Sequence, residues 1–419
     1  MKAWKKRGIM TSFHRESEFG ARARNEGFPS RVCLGSRADT GAARRYEYGR
    51  TDTIRYLNPR GGRAAQKKNV IRFMGLLGLI LLAMPLAAQA QTEAVHTIER
   101  FAFEKGGEIR DMKVGYVTWG KLNEAKSNAI LLLPGSSSGR HFADAHIGPG
   151  KTYDTDQYFV IGVDPIGGGN SSSPRDKMGT AFPTYTVGDM VRAQHLLITQ
   201  GLGLNHLLAV GGPSMGSFQS LDWGIRYPDF VTGLILIVPA ARMDRHFAPV
   251  RDAFEAVIKL DPKYRDGKYT ENPADGIRGA SLIFFPWVWS DEYLATLDEA
   301  AYEKAKTAAG DAWVKEWDAN SLLWRFNASS SYDASQPFGG DMTRALAQVK
   351  AKALLLYSPT DRTVPAYLTR ELYHGLQDAA CVEIPSIRGH MAGVMPPGTP
   401  EYATVSQEVK AFLARLQKQ

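Results

Sequence analysis

Beyond residue 120, apolar residues come in short continuous runs that end at glycine, proline or polar turns. Continuous runs of about five residues are typical of strands that are covered on both faces of a sheet. The runs lie at 129–133, 159–164, 206–210, 234–238, 353–357 and 381–384. Segments with helical periodicity lie at about 186–200, 217–227 and 402–417. Strands that alternate with helices predict an α/β fold with a mostly parallel, doubly covered sheet.

This alternation is interrupted twice. Residues 101–122 contain two strand-like runs around Gly106-Gly107, a pattern typical of an antiparallel hairpin at a sheet edge. Residues 241–346 carry helical patterns and many aromatic residues but no strand signal. Because this segment follows the sixth predicted strand, it predicts a helical cap over the strand ends. We expect most of its aromatic side chains to pack in the cap and a few to line a substrate pocket.

Residues 66–90 have the pattern of a signal peptide. Basic residues precede an apolar core at 73–82, and Ala88-Gln89-Ala90 has the small-x-small pattern of a cleavage site. The apolar core is short for a membrane span, although a membrane anchor is the alternative. We therefore expect cleavage near Ala90 and a periplasmic or secreted mature protein without a stable membrane span.

The basic charge of the chain is concentrated at its start. Residues 1–90 contain 18 Lys+Arg and 6 Asp+Glu, whereas the other 329 residues contain 33 and 37. Residues 1–65 are rich in Arg and Gly, so we expect them to be disordered or to precede the true translation start. The predicted body, with a core at 91–240 and 347–419 and a cap at 241–346, lacks a basic stripe. This composition argues against nucleic-acid binding.

The predicted body contains one cysteine, so it cannot form an internal disulfide. Cys33 precedes the predicted signal peptide, and Cys381 lies in an apolar run. We expect Cys381 to be a buried, unreactive strand residue. The fold must therefore depend on its apolar core.

One predicted turn connects a strand to a helix and carries a candidate nucleophile. The run 206–210 leads into Gly212-Pro213-Ser214-Met215-Gly216, and a helix-like segment follows. Gly-x-Ser-x-Gly in this setting is typical of a nucleophile elbow, because the backbones of strand and helix nearly touch and exclude bulky neighbours. The turn would lift the Ser214 hydroxyl above the end of the sheet.

Asp361 and His390 also lie just past predicted strands. The carboxyl ends of parallel strands share one edge, so we expect Ser214, Asp361 and His390 to meet there, in the chain order of the α/β-hydrolase triad. His390 would take the proton of Ser214, and Asp361 would hold the imidazole. The N–H groups of Met215 and Ser136 would form the oxyanion hole.

The alternatives for these roles are weaker. Taken singly, Asp361 could be a turn residue and His390 a surface histidine. Residues that suit the roles less well are the acids Asp164 and Asp341 and, on the wrong loop for a base, His141 and His146. No His/Cys/Asp cluster has metal-ligand spacing, so we predict no metal and no cofactor. Gly167-Gly168-Gly169 lacks the spacing of a phosphate-binding loop.

Several longer stretches match one family. They lie at 148–151, 154–161, 182–191, 214–216 and 221–228. Through them, residues 95–419 resemble the homoserine O-acetyltransferase family of α/β-hydrolase-fold enzymes. The resemblance implies the triad Ser214, Asp361 and His390, a small-molecule acyl substrate and a homodimer.

The chain departs from that family at the positions that hold the amino-acid substrate. The Asp that follows the catalytic His in the family is replaced by Met391. The Arg and Tyr of the family's cap correspond to Ser281 and Val288, while Ser290 matches a family serine. Without the charged anchors, a zwitterion would not be preferred. Acetyl-CoA is also not expected outside the cytoplasm.

We therefore expect an exported serine hydrolase that cleaves an ester or related acyl substrate through an acyl-enzyme intermediate. An O-acyltransferase with an acceptor other than homoserine is the alternative. A non-catalytic binding protein on the same scaffold is the third interpretation.

Overall fold

The structure, a computed structural model, describes residues 91–418. The predictions for residues 1–65 and 66–90 lie outside this range. The strands are β1 Thr92–Ala102, β2 Glu108–Trp119, β3 Ala129–Leu132, β4 Phe159–Val163, β5 Leu207–Pro213, β6 Val231–Ile237, β7 Lys352–Tyr357 and β8 Ala379–Glu383. The helices are α1 Val187–Leu196, α2 Met215–Arg226, α3 Ala248–Leu260, α4 Ala274–Val288, α5 Asp291–Leu294, α6 Glu299–Glu316, α7 Ala319–Ser330, α8 Met342–Leu346, α9 Ala366–Gly375 and α10 Pro400–Leu416.

The strands form one sheet with the order β1-β2-β4-β3-β5-β6-β7-β8. The β1–β2 and β2–β4 pairs are antiparallel, and every later pair is parallel. The predicted hairpin and the predicted parallel sheet are therefore both confirmed. The first strand begins at Thr92, earlier than its apolar run indicates, because the long β1–β2 ladder continues through alternating exposed residues.

The sheet reverses its direction of growth at β3. The chain runs from β3 to its neighbour β4 on one side and then crosses to β5 on the other side. Open α/β sheets bind ligands at the carboxyl ends of strands beside such a reversal. Ser136 follows β3 and Ser214 follows β5. The topology therefore places both residues beside the same crevice.

The continuous apolar runs are covered on both faces, as predicted. On β3, Leu131 belongs to the same core cluster as Phe218 of α2. Its neighbours Ile130 and Leu132 face the other way and pack with Phe412 of α10. Full burial of each such side chain contributes about 1.5–3 kcal/mol. Alternate residues of one strand therefore stabilise opposite layers.

The helices α3–α8 lie between β6 and β7, which confirms the predicted cap after the sixth strand. They have a separate apolar core. The rings of Phe254 and Phe326 stack at 4.6 Å, and Phe284 meets Phe326 edge-on at 5.3 Å. Asp318 starts α7 by accepting a hydrogen bond from the Ser321 amide at 2.9 Å. Among residues 91–418, no helix is both long enough and apolar enough to span a membrane.

The turn between β5 and α2 packs against the backbone at the end of β3. A Cβ atom at Gly212 would lie 1.9 Å from the Leu133 carbonyl oxygen, and one at Gly216 would lie 2.0 Å from the same atom. No side chain fits at such distances. The Leu133 amide in turn donates to the Gly211 carbonyl oxygen at 2.8 Å. Glycine is therefore required on both sides of Ser214.

We expect Gly216→Ala to lower the free energy of unfolding by on the order of 3 kcal/mol or more, because the methyl group would overlap a backbone oxygen held in the sheet. Urea denaturation followed by circular dichroism measures the loss. Gly106→Ala is the control, since Gly106 has φ +91 but no atom within 4 Å of the position that a methyl group would take. That change should cost about 1 kcal/mol. Equal losses in the two variants would contradict the packing argument.

Candidate active site

Ser214 has the backbone conformation of a sharp turn, with φ 54 and ψ −122. A residue other than glycine rarely adopts positive φ, and such strain costs about 1–3 kcal/mol. The surroundings hold it in place. The Ser214 amide donates to the Ile237 carbonyl oxygen at 2.9 Å, and its own carbonyl accepts from the amides of Ser217 and Phe218. The strain is therefore maintained by β6 on one side and α2 on the other.

His390 and Asp361 lie together. His390 Nδ1 is 2.6 Å from Asp361 Oδ2, and both residues are buried. The other carboxylate oxygen, Oδ1, accepts from the amides of Thr363 and Val364 at 2.8 and 2.9 Å. An ionised carboxylate favours a proton on Nδ1, which leaves Nε2 of the neutral imidazole as an acceptor. The pair can therefore act as an oriented base.

Ser214 and the Asp361 loop face a common cavity. Ser136, Ser214, Thr363 and Val364 line a space of about 20 Å³, which is room for roughly one water molecule. The apolar side chains that line it are Phe218, Met243, Phe247, Phe284 and Phe326. The expectation that a few cap aromatics line a pocket is met by Phe247, Phe284 and Phe326.

The turn that carries His390 reaches the same strand end as Ser214. A Cβ atom at Gly393 would lie 2.7 Å from Ile237 Cγ2. The Ile237 carbonyl oxygen is also the acceptor of the Ser214 amide. The elements that carry Ser214 and His390 therefore both pack on the last residue of β6.

The predicted oxyanion residues lie next to the turn. Met215 is the first residue of α2, and Ser136 lines the cavity with Ser214. A Cβ atom at Gly135 would lie 3.8 Å from Ser214 Cβ, so the loop after β3 runs alongside the serine. Amide groups at a helix start carry partial positive charge that favours an anion. Two sources of N–H groups therefore border the Ser214 side chain.

One segment of the cap fastens the Asp361 loop. Thr363 Oγ1 donates to the Trp287 carbonyl oxygen at 2.8 Å, and Arg362 pairs with Asp291 at 2.6 Å. The Arg362 guanidinium also lies 5.3 Å from the centre of the Trp287 ring. We call residues 287–293 the clasp. Sequence reasoning missed the clasp, because these contacts join residues about 70 positions apart and leave no local pattern.

The clasp also fastens the His390 loop. Ser290 Oγ donates to the Ile387 carbonyl oxygen, and Arg388 lies 4.8 Å from the centre of the Tyr293 ring. Gly389 has φ +63, and a Cβ atom there would lie 2.7 Å from the Ser290 amide nitrogen. Ser290, which matches a family serine in sequence, is 1% exposed. Its hydroxyl thus holds the loop together in this structure.

The three positions that the sequence resemblance matches to amino-acid anchors carry no charge. Ser281 is buried, and Val288 and Met391 are half-buried. A hydroxyl, an isopropyl group and a thioether cannot form ion pairs with an ammonium or a carboxylate group. These three positions therefore offer no anchor for a zwitterion.

The weaker acid candidates have structural roles. Asp164 forms an ion pair with Arg140 and accepts from the Asn170 amide at 2.8 Å. Asp341 starts α8 by accepting from the Arg344 amide at 2.9 Å. Both carboxylates are therefore engaged away from His390.

The other histidines near the site are also engaged. His141 Nδ1 lies 3.1 Å from Asp144. His146 packs against Tyr402, and burial, reinforced by the charge of Lys151, lowers the pKa of its imidazole to about 4. Both imidazoles are therefore engaged by groups other than Ser214.

Charge is also buried behind the serine, on α2. Burial raises the pKa of Asp222 to about 6, although an ion pair with Arg226 opposes the shift. Arg226 also pairs with Glu104 at 2.8 Å. These groups fix α2 to the hairpin at the sheet edge.

Cys381 is buried in β8. In the described range, no three His, Cys, Asp or Glu side chains form a group suited to a metal ion.

Comparison with known proteins gives a consistent set of relatives. The family model for the alpha/beta hydrolase fold matches residues 128–392. A homoserine O-acetyltransferase from Trichormus variabilis is 30% identical over 344 residues, which cover 77% of this chain and 94% of that protein. A Corynebacterium glutamicum protein named as a probable esterase is 33% identical over 286 residues, with 64% and 81% covered. Among solved structures, an acetylester hydrolase from Corynebacterium glutamicum has a TM-score of 0.72 at 28% identity and covers 77% of this chain and 96% of its own.

Proposed function

The chain belongs to the α/β-hydrolase-fold enzymes and, among them, is homoserine O-acetyltransferase-like, and on this premise we propose that it is a serine hydrolase. It cleaves a small ester or related acyl substrate through an acyl-enzyme intermediate. The observation that carries the proposal is the buried His390–Asp361 pair, whose acid loop borders the cavity of a strained, elbow-mounted Ser214.

The proposed mechanism uses three side chains and two amides. Ser214 Oγ attacks the acyl carbon while His390 Nε2 takes its proton. Asp361 keeps the imidazole oriented and stabilises its charged form. The amides of Met215 and Ser136 hold the oxyanion of the tetrahedral intermediate. His390 then protonates the leaving alcohol, and water attacks the acyl-enzyme in a second round of the same chemistry.

Hydrolysis is favoured over transfer to an amino-acid hydroxyl by the uncharged positions Ser281, Val288 and Met391. A site that recognises a zwitterion through ion pairs loses most of its discrimination when those partners are absent. The alternative is an O-acyltransferase with another acceptor, which the homoserine O-acetyltransferase relatives support. Incubation with an acetyl ester plus candidate alcohols separates the two. Transferred product in excess of free acetate would favour the transferase.

The acyl group that the cavity admits is short. A space of about 20 Å³ bordered by Met243, Phe247 and Phe284 leaves little room beyond Ser214. Several of these residues belong to the packed cap core or pack directly against it. The relative named as an acetylester hydrolase agrees with this size. We therefore propose acetyl esters as the preferred substrates.

We expect a fluorophosphonate probe to label the protein and Ser214→Ala to abolish the label, because the probe needs an activated serine. Hydrolysis of 4-nitrophenyl acetate should fall by about 10³-fold or more in the same variant. In-gel fluorescence and absorbance measure the two effects. The control is Ser127→Ala, an exposed serine that should keep both activities. Label that persists without Ser214 would refute the assignment.

We expect kcat/KM for a butyrate ester to be about tenfold or more below that for the acetate ester, because the cavity cannot take two more methylene groups without displacing the cap. Met243→Ala should reduce the difference between the two kcat/KM values, because it removes a half-buried side chain that lines the cavity. Initial rates with an acyl-length series measure it. Met178→Ala, at an exposed methionine, should leave the ratio unchanged. A wild-type preference for longer chains would contradict the proposed acyl specificity.

We also propose that the enzyme is exported, on the pattern of residues 66–90. Expression of the full chain in a Gram-negative host should then yield protein in the periplasmic or secreted fraction that begins at about Gln91. N-terminal sequencing of that fraction measures the cleavage position. Retention of residues 66–90 on membrane-associated protein would support the anchor instead.

A further inference from the structure

A network of buried hydrogen bonds lies between α1 and α2. The indole Nε1 of Trp223 donates to Gln194 Oε1 at 2.9 Å, and Gln194 Nε2 donates to Gln219 Oε1 at 2.6 Å. Each of these side chains is at most 1% exposed. We call Trp223, Gln194 and Gln219 the glutamine network. The proposed mechanism assigns no step to any of them.

The network ends at two backbone carbonyl groups beside Ser214. Gln219 Nε2 donates to the Met215 carbonyl oxygen at 3.2 Å and to the Pro134 carbonyl oxygen at 3.4 Å. Met215 begins α2, and Pro134 lies two residues before Ser136. The amides of Met215 and Ser136 are the proposed oxyanion donors. One side-chain amide therefore connects the two segments that carry these donors.

The orientation of both glutamine amides is set by the chemistry at the two ends of the network. An indole N–H can only donate, and a backbone carbonyl oxygen can only accept. Gln194 must therefore turn its oxygen toward Trp223 and its nitrogen toward Gln219. Gln219 then accepts through its oxygen and donates through its nitrogen to the two carbonyl groups. Because both ends require the same arrangement, reversal of either amide would break the hydrogen bonds on both of its sides.

The segment after Pro134 leaves the core. Gly135 and Ser136 are half-buried and Ser137 is exposed, whereas Pro134 and Gln219 are buried. Oxyanion donors act at about 2.7–3.1 Å from the oxygen, and a displacement of about 1 Å can lower a rate by about 10²-fold. An apolar side chain of similar size could fill the same space, so the two donated hydrogen bonds are the distinctive feature of Gln219.

We propose that Gln219 is a positioning residue that sets the distance between the two proposed oxyanion donors, and that the rest of the glutamine network holds its amide in the required orientation. The inference rests on the proposed hydrolase function. Gln219 holds the Pro134 peptide against the first turn of α2, while the close approach of Gly216 to the Leu133 carbonyl oxygen limits how near the two segments can come. A hydrogen bond and a steric contact therefore bound the separation from both sides.

Gln219→Met tests this role, because methionine has a similar size but no N–H donor. We expect kcat for 4-nitrophenyl acetate to fall by about tenfold to hundredfold and KM to change by less than about twofold. 2,2,2-Trifluoroacetophenone should bind more weakly by a similar factor. In its adduct, Ser214 Oγ bonds to the carbonyl carbon, the hydroxyl proton passes to His390, and the carbonyl π electrons become the oxyanion. Initial rates and inhibition constants measure the two losses.

Asn128→Leu is the matched control. Asn128 is 7% exposed, precedes β3 at its other end, and donates to the carbonyl oxygens of Lys121 and Gln157 at 3.0 and 2.9 Å. Both substitutions remove a buried amide that donates to two carbonyl groups, so both should lower the melting temperature. Only Gln219→Met should lower kcat and weaken the binding of the trifluoromethyl ketone.

Gln219→Glu gives a second test with a pH readout. Burial raises the pKa of a carboxyl group. While protonated, this carboxyl group can donate its O–H to one of the carbonyl groups and accept from Gln194, but once ionised it can only accept. We therefore expect its kcat to be close to that of the wild type at low pH and to fall below it as pH rises. The ratio of the two at each pH removes the titration of His390. This variant decides the test if Gln219→Met does not fold.

Unchanged kcat and inhibitor affinity in Gln219→Met, or a pH-independent ratio in Gln219→Glu, would overturn the inference and leave the proposed function intact. An equal loss of kcat in Asn128→Leu would also overturn it, since the loss would then follow from lower stability. Wild-type protein that hydrolyses no acetate ester and escapes labelling at Ser214 would instead remove the proposed function and the inference with it.

Discussion

The approach of two glycines to one carbonyl oxygen is the constraint on which the site depends. Gly212 and Gly216 leave room for the Leu133 carbonyl group only because they lack Cβ atoms. This contact fixes the end of β3, the end of β5 and the start of α2 relative to one another. Ser214, Met215 and the loop that begins after Leu133 are therefore positioned by backbone packing, which does not depend on side-chain rotamers.

A second constraint comes from the cap. The clasp binds the Asp361 loop through Trp287 and Asp291, and the His390 loop through Ser290 and Tyr293. The Asp361 loop joins β7 to α9 and the His390 loop lies between β8 and α10, so the cap adds contacts to two connections of the core. The cap therefore both closes the cavity over Ser214 and orients the His390–Asp361 pair. The aromatic core of the cap makes this possible, because closely packed side chains hold the clasp in place against both loops.

The lining of the Ser214 cavity contains no charged side chain from the described residues. Six of its lining side chains are apolar and five carry a hydroxyl group. Arg325, next in the chain to the cavity-lining Phe326, is a buried guanidinium whose hydrogen bonds go to carbonyl oxygens. The chain, which is similar to homoserine O-acetyltransferases, has the glycine-flanked Ser214 turn and uncharged side chains at Ser281, Val288 and Met391. Because recognition depends on such groups more than on the fold, the fold alone does not specify the substrate.

The sequence by itself determined the sheet, the cap after the sixth strand and the setting of Ser214, because apolar runs, periodicity and a glycine-flanked serine are local signals. It also placed Asp361 and His390 after strands. Their chain order and strand-end positions led to the expectation that Asp361 would hold the imidazole, and in the structure His390 Nδ1 lies 2.6 Å from Asp361 Oδ2. The clasp, the roughly one-water size of the Ser214 cavity and the burial of Arg325 were decided only by the tertiary structure. Each depends on residues tens to hundreds of positions apart, and such contacts are set by how layers pack and leave no periodic trace along the chain.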